Sequence, residues 1–496
     1  MDTFTSSRRW WALAALVLSV LLIGLDATVL NVALPTLVVG LGATTSDLQW
    51  IVDAYLIPFA ALMLPVGAFG DRFGRKRLLL AGLALFGTAS VAAALATGSA
   101  TLIAARALLG AGAALIMVLS TSILPSVFPP HERSRAIAVW SAGMGLGLPL
   151  GPIIGGYLLD HFWWGSIFLI NIPVVVVTLV ASAMLLPESR DPARPAIDVP
   201  GTLLSVTGLA ALVYGVIEAP ARGWTDLGVL AAVLSGIALI AVFVVVEARS
   251  KAPMMDLRLF RDRVFLPGAL GATLVSLGMM GVLFVVPLHL QAVLDHDAFG
   301  TGIRVVPMVL GLMAGGLAGE RLLKVAGLRV IMPIGLLVLA AGLALGALTD
   351  VSAGYGPMAV WLSIAGAGVG LAMVPAMDGV LAVLPEDRVG AGSGVLQTLR
   401  QTGGALGVAG LGSLLSAVYV NGLPAGVPEV ARDSVTAAVR LGDAALTAAA
   451  RQAYTLAMDT VLGVCAVLVL VSAGLVSVFM RAAEPRESAH ELTSTP

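Results

Sequence analysis

The chain has 496 residues, of which 58% are hydrophobic and only 11% charged, with a mean hydropathy of +0.99. Soluble domains carry about 25% charged residues, and no core of one or two domains hides such an apolar excess, so a soluble protein is excluded and a polytopic membrane protein is expected. The net charge of −1 carries little information, and the single cysteine, Cys465, excludes an intramolecular disulfide and a four-cysteine zinc site.

A membrane-crossing helix needs about 20 apolar residues. Fourteen segments qualify, near 10–35, 48–69, 78–97, 101–127, 134–158, 165–187, 200–219, 227–247, 264–290, 300–319, 328–349, 356–384, 392–420 and 458–480. SSRRWW before the first span resembles a secretory signal, but the apolar stretch is too long and thirteen spans follow, so no cleavage is expected. The joints at 249–263 and 421–457 are the longer polar ones, and the second has helical periodicity from Val430 to Leu441 that suggests a short hairpin or a passive linker. Of 28 basic residues, 21 fall on alternate joints and the termini, while the opposite joints hold Arg222, Arg432, Arg440 and Arg451. Basic joints stay in the cytoplasm, so both termini are expected there, in a bacterial plasma membrane.

The chain repeats. Gly67-Ala-Phe-Gly-Asp71-Arg72 after the second span matches Gly316-Leu-Ala-Gly-Glu320-Arg321 after the tenth, and Gly110-Ala-Gly112 matches Gly366-Ala-Gly368. This predicts two parallel six-helix bundles, residues 1–187 and 264–481, with an inserted pair at 188–263 and a polar tail at 482–496. A cavity between the halves follows.

Each short motif has a physical reading. Asp71, among Arg72, Arg75, Lys76 and Arg77 with Gly67 and Gly74 nearby, suits a charge network at a hinge, and equally sets topology; Glu320 and Arg321 repeat it. Gly147, Gly151 and Gly155 at i, i+4, i+8 permit close helix contact in lipid, and with Pro152 and Gly156 they are expected at the seam between halves. Asp26, Asp53 and Arg106 fall at similar depth inside spans 1, 2 and 4. Facing lipid, each would cost on the order of 2.5–3.5 kcal/mol, so they should face one another or the cavity. Asp26 is expected to carry a proton, with Arg106 tuning it; a static pair is the rival reading. Asp53 is either a second carrier or a contact for a cationic substrate. Asp378 and Arg400 are candidates for a second-half gate, and Asn31, Met279, Phe284, Met373 and Met377 for a soft substrate pocket. Glu247, His289 and His296 read as hydrated groups at span ends or in an outer loop.

These segments together resemble the major facilitator superfamily, in its fourteen-helix drug:proton antiporter branch (the QacA/EmrB-like exporters). The carriers of the resemblance are Leu25-Asp-Ala-Thr-Val-Leu-Asn-Val-Ala-Leu-Pro35, the 67–78 loop, Arg106-Ala-Leu-Leu-Gly-Ala-Gly and Gly147-Leu-Pro-Leu-Gly-Pro-Ile-Ile-Gly-Gly156. The resemblance implies proton-coupled export of small amphipathic molecules by a monomer in the bilayer, without cofactor, metal or nucleic acid. The family pattern has Gln where Leu109 stands and acidic residues near span 13, where this chain has Gln397-Thr-Leu-Arg400-Gln401. Neutral or monocationic drugs are therefore expected rather than dications. Export of a lipid or endogenous metabolite is the alternative. A non-transporting scaffold gains nothing from intramembrane carboxylates, and with no P-loop and no nucleophile or metal constellation the chain does not read as an enzyme.

Overall fold

The computed structural model describes residues 6–190, 198–250, 257–350, 354–382 and 386–480. Seventeen α-helices follow in order: α1 Ser6–Leu41, α2 Thr45–Phe73, α3 Arg75–Ala94, α4 Ser99–Val127, α5 Pro130–His161, α6 Ser166–Leu169, α7 Asn171–Leu185, α8 Val199–Arg222, α9 Leu227–Arg249, α10 Phe265–Leu288, α11 Ala298–Ala326, α12 Leu328–Gly346, α13 Tyr355–Ala382, α14 Glu386–Gly422, α15 Glu429–Asp433, α16 Val435–Arg440 and α17 Ala444–Phe479. They make fourteen spans long and apolar enough to cross a membrane, α6 with α7 forming the sixth and α10 with a π turn at His289–Val293 the ninth. The described residues contain no strand. This is a multi-pass membrane protein, all helical because lipid offers backbone groups no partner outside the helix.

The described basic joints, with Arg8, Arg9, Arg75–Arg77, Arg133 and Arg190, mark one end of the molecule, the basic end; α15 and α16 mark the other, the loop end. Helix ends are set by local chemistry. Thr44 and Asp47 form a reciprocal capping box that starts α2, and Gly74, at φ 111°, breaks α2 from α3. α1 runs six residues past Pro35 to Leu41, longer than expected, since a proline inside a packed membrane helix is tolerated. α17 has 36 residues, about 54 Å at 1.5 Å each, so its first turns stand clear of a hydrocarbon core of about 30 Å.

Within the halves, α1 packs on α5 and α7, and α2 and α3 both pack on α4; α11 and α12 pack on α13, and α10 on α14 and α17. The halves meet along two main seams, α2 with α14 and α5 with α11, with a smaller contact of α1 on α10. The inserted helices α8 and α9 pack on each other, and α8 lies against both α2 and α14. Its hold is specific: Ser413 Oγ donates to Val216 O at 2.7 Å, Ser46 Oγ to Glu218 at 3.3 Å, and the Trp50 and Tyr214 rings lie 6.0 Å apart. The 421–457 segment is less of a loop than expected, because α14 continues to Gly422 and α17 begins at Ala444. The short α15 and α16 between them dock by burying Ala431, Val435 and Ala438. Tyr419 donates to Ala431 O at 2.8 Å and Thr45 to Asp433 O at 2.6 Å.

Candidate functional site

Asp26 and Arg106 meet in the interior of the first half. Arg106 Nη1 donates to Asp26 Oδ2 at 2.8 Å, with Asp26 0% and Arg106 2% exposed. The rest of the guanidinium is also engaged: Nε donates to Ile51 O at 3.0 Å, and the group lies over the Tyr55 ring at 4.3 Å. Asn171, the first residue of α7, donates to the second Asp26 oxygen at 3.2 Å and reaches Ser90 Oγ at 3.3 Å. Four helices, α1, α2, α4 and α7, thus converge on one ion pair. Asn171 and Tyr55 were not anticipated; the available signal was an asparagine, one of three in the chain, inside the apolar run of span 6.

Asp53 is not part of that cluster. It lies two residues from both Ile51 and Tyr55 in α2, which at 100° per residue turns it to the opposite side of the helix. Its stripe is that of Gln49, Leu56 and Leu64, which faces α14. Gln49 Nε2 donates there to Val408 O at 3.2 Å and Ala409 O at 2.9 Å. Leu56 lies 3.9 Å from where a Cβ on Gly404 would stand, and Leu64 3.3 Å from the same point on Gly394. Both carboxylate oxygens of Asp53 are buried and find no hydrogen-bond partner among the described residues.

The small residues of α5 divide between two neighbours. A Cβ on Gly147, Gly151 or Gly155 would strike α1, at Leu21 O and Gly24, at Thr28 and Leu25 O, and at Val29 respectively. These three hold α5 against α1 inside the first half. Gly156 and Pro152 face the other half: a Cβ on Gly156 would stand 2.6 Å from Ala298 O, and one on Gly302 would meet the Pro152 carbonyl. Asp160 finishes this contact, accepting from the Ala298 N–H at 3.2 Å and the Phe299 N–H at 2.9 Å, so a first-half carboxylate caps a second-half helix. Gln291 adds a bond to Val32 O at 2.9 Å. The α5–α11 seam is thereby closed at the loop end. Three turns toward the basic end on the same face of α5, a Cβ on Gly145 would meet nothing within 4 Å.

At the basic end, Asp71 Oδ1 accepts from Arg75 Nη2 at 2.7 Å and Nε at 2.8 Å, while Arg75 Nη1 donates to Ser122 O at 3.0 Å. The loop is tied to the end of α4 and, through Glu188 and the Lys76 N–H at 3.2 Å, to the segment after α7. Arg72 lies over the Phe73 ring at 5.8 Å. Gly67 is loosely surrounded, its nearest neighbour Val118 at 4.0 Å. The counterparts Glu320 and Arg321 are exposed.

Residues 16–408 match the family model described as Major Facilitator Superfamily. The chain belongs to that superfamily. Its similar relatives include the multidrug efflux pump LfrA of Mycolicibacterium smegmatis, 35% identical over 97% of this chain and 98% of that protein. The tetracenomycin C resistance and export protein of Streptomyces glaucescens is 31% identical over 99% and 95%, and the methyl viologen resistance protein SmvA of Salmonella typhimurium 33% over 86% and 87%. Among solved structures, a bacterial homologue of the human lysosomal transporter Spinster superposes with a TM-score of 0.70 at 17% identity, covering 96% of this chain and 98% of that one. The xylose transporter XylE of E. coli gives 0.63 at 15% over the same shares. The protein is a major facilitator transporter and not an enzyme.

In this major facilitator protein the second half contributes a cation. Arg400 Nη1 donates to Gln397 Oε1 at 2.8 Å and approaches Met377 Sδ at 3.6 Å. The side chain of Asp378 lies outside the described residues. Met279 and Met377 are half-buried, whereas Phe284 and Met373 are buried in the packed core. Asn31 is buried and donates to Ala27 O at 3.2 Å, within its own helix. Two expectations are corrected. His289 is not solvated: the π turn carries span 9 past it, and it is buried against the Tyr454 ring, 6.3 Å away. Glu247 is likewise buried, 2% exposed, beside the start of α8 at Gly201.

Proposed function

We propose that the chain is a proton-driven exporter of amphipathic drugs or antibiotics, neutral or monocationic, acting as a monomer by alternating access, with its basic end and both termini in the cytoplasm of a bacterial plasma membrane. The observation that carries the reading is the buried Asp26–Arg106 pair beside a separate, partnerless carboxylate at Asp53. A transporter that exchanges protons for substrate needs an acidic group whose partner changes with conformation. Through Arg106 and Asn171, Asp26 ties α1 to α2, α4 and α7. A proton arriving on Asp26 weakens its hold on Arg106 and so on Ile51 of α2, the helix that forms one seam with the second half. Asp53 sits on the seam side of that helix, where a proton or a cationic group answers it as the seam parts. Closure of α5 on α11 at the loop end, with the Gly145 face open toward the basic end, suits a state that loads substrate from the cytoplasm. The similarity to named efflux and resistance proteins supports drugs over lipids as cargo.

The test uses energised inside-out vesicles with a pH-sensitive dye, a panel of lipophilic cations and neutral antibiotics, and Asp26→Asn beside the wild type. Drug-induced proton release that is lost in the variant is expected. Unchanged release moves the carrier to Asp53. No proton movement with any drug overturns the reading and favours a lipid or metabolite carrier.

A further inference from the structure

Three arginines lie deep inside spans: Arg106, Arg304 and Arg400. Arg106 is paired with Asp26, and Arg304 donates to Gly300 O at 3.0 Å and lies over the Tyr355 ring at 5.3 Å. Among the described residues Arg400, like Arg304, has only neutral partners, the side chain of Asp378 beside Met377 lying outside them. Of its five guanidinium donors, Nη1 serves Gln397 and touches the Met377 sulfur, and Nε is buried with no partner. Across the seam, α2 is apolar at this level: Gly404, one turn beyond Arg400, is level with Leu56, so Arg400 is level with Phe59 and Ala60. Asp53 lies on the facing stripe but roughly 10 Å further toward the loop end, about six residues at 1.5 Å each. That is too far for an ion pair.

An intramembrane cation with no counter-ion among the described residues is costly and is usually tied to function. The stretch around it is partly accessible. Residues 397–402 of α14 are all partly exposed, a full turn and more, while 403–405 are buried. Toward the basic end the helix is buried again at Val395 and Leu396, so the partly exposed stretch is a window of little more than one turn around Arg400. Met377 and Met280, the latter against Gly404, offer soft walls for a flat ring, and Gln397 and Gln401 offer neutral donors and acceptors.

We infer that Arg400 is the polar anchor of the substrate site and takes an oxyanion or acidic hydroxyl on an aromatic amphipath. This rests on the export reading and narrows its cargo: an aromatic ring system bearing a phenol or enol is favoured over the same ring system with that oxygen capped, and a dication is disfavoured by the like charge.

The experiment compares 2-hydroxyanthraquinone with 2-methoxyanthraquinone, binding to the purified full-length protein in detergent by tryptophan quenching, at a pH where the hydroxyl is ionised. Wild type is expected to prefer the hydroxy compound by about tenfold or more, the scale of a hydrogen bond to a charged group. Arg400→Gln should bring the ratio close to one while leaving affinity for the methoxy compound unchanged, which also shows that the variant is folded. Arg400→Lys should recover part of the preference. The inference is overturned by no preference in wild type, by a preference that survives Arg400→Gln, by equal loss of both ligands in that variant with its melting temperature retained, or by no binding of either compound to wild type. Binding in detergent needs no proton gradient, so failure of proton coupling in vesicles leaves this result readable by itself.

Discussion

Breaking the Asp26–Arg106 pair from one side should be far more damaging than removing it from both. Arg106→Gln strips Asp26 of its charged 2.8 Å partner and leaves a carboxylate, 0% exposed, with neutral amides only, the Asn171 amide at 3.2 Å among them. Asp26→Asn leaves a guanidinium, 2% exposed, with Ile51 O and the Tyr55 ring. A buried charge deprived of its partner costs about 3–5 kcal/mol. Asp26→Asn with Arg106→Gln removes both charges and keeps an amide on each side, so the double variant should cost well below the sum of the single ones. The expected coupling is about 2–3 kcal/mol, the upper range for residues in direct contact. Reversible unfolding in one detergent, with all four proteins and the same denaturant series, measures it. Additivity within about 0.5 kcal/mol would refute the reasoning, because the two groups would then be behaving as independent sites. The same four proteins separate statics from coupling: a double variant that regains stability but not drug-driven proton release marks the pair as part of the transport cycle.

Other expectations are equally specific. Gly156→Leu places a side chain where even a Cβ would stand 2.6 Å from Ala298 O and Phe299 Cα; export should fall at least tenfold with expression retained, and a cysteine placed on the loop-end face should gain reactivity toward an impermeant thiol reagent. Asp160→Ala removes the cap on the Ala298 and Phe299 N–H groups and should shift labelling in the same direction by a smaller factor, with wild-type labelling counting against it. Asp71→Asn weakens the Arg75 clamp on Ser122 O; because both groups are partly exposed, stability should change by less than about 1 kcal/mol while the export rate falls several-fold. At the loop end, partial burial first, then Glu429 and Asp47, raise the Asp433 carboxyl above its ordinary value of 3.8. The docked state therefore binds the proton more tightly, so docking of α15 and α16 is favoured below the undocked value and weakens as pH rises through the docked one. Hydrogen exchange over 429–440 should fall on acidification after correction for intrinsic rates, and Asp433→Asn should flatten that dependence.

Fourteen spans were legible because bilayer thickness fixes a helix's length, and a run of apolar residues reports length directly. The meeting of Asp26 with Arg106 was legible for an energetic reason: opposite charges at equal depth have nowhere cheaper to go than toward each other. Depth carries no azimuth, however, and that is why Asp53 was grouped with them. Two residues along α2 leave the depth almost unchanged and reverse the face. The α5 glycines show the same limit, since spacing at i, i+4, i+8 announces a close helix neighbour without naming it. The neighbour is α1 for Gly147, Gly151 and Gly155, and α11 only for Gly156. His289 was placed in a loop because the apolar run ends there, yet one π turn keeps it in the wall of span 9.

The two seams between halves are unequal, and the inserted pair explains the direction of the inequality. Along α2–α14, contact is found from Gln49 with Val408 near the loop end to Leu64 with Gly394 near the basic end, and α8 is pinned to both helices by Ser413, Ser46 and Trp50. Along α5–α11, Pro152, Gly156 and Asp160 join the helices at the loop end, while a Cβ on Gly145 would meet nothing within 4 Å. A helix bonded to both partners of one seam resists their separation at the loop end, so rocking has its freedom at the other seam. In the proposed cycle, substrate that dissolves in the inner leaflet enters between α5 and α11. The basic end of α14 with Arg400 lies on the braced side, at the α2–α14 seam and away from α5–α11. In the proposed export cycle, cargo entering between α5 and α11 crosses the space between the halves before its polar group reaches the guanidinium, and the helices carrying Asp53 and Arg400 meet at one seam.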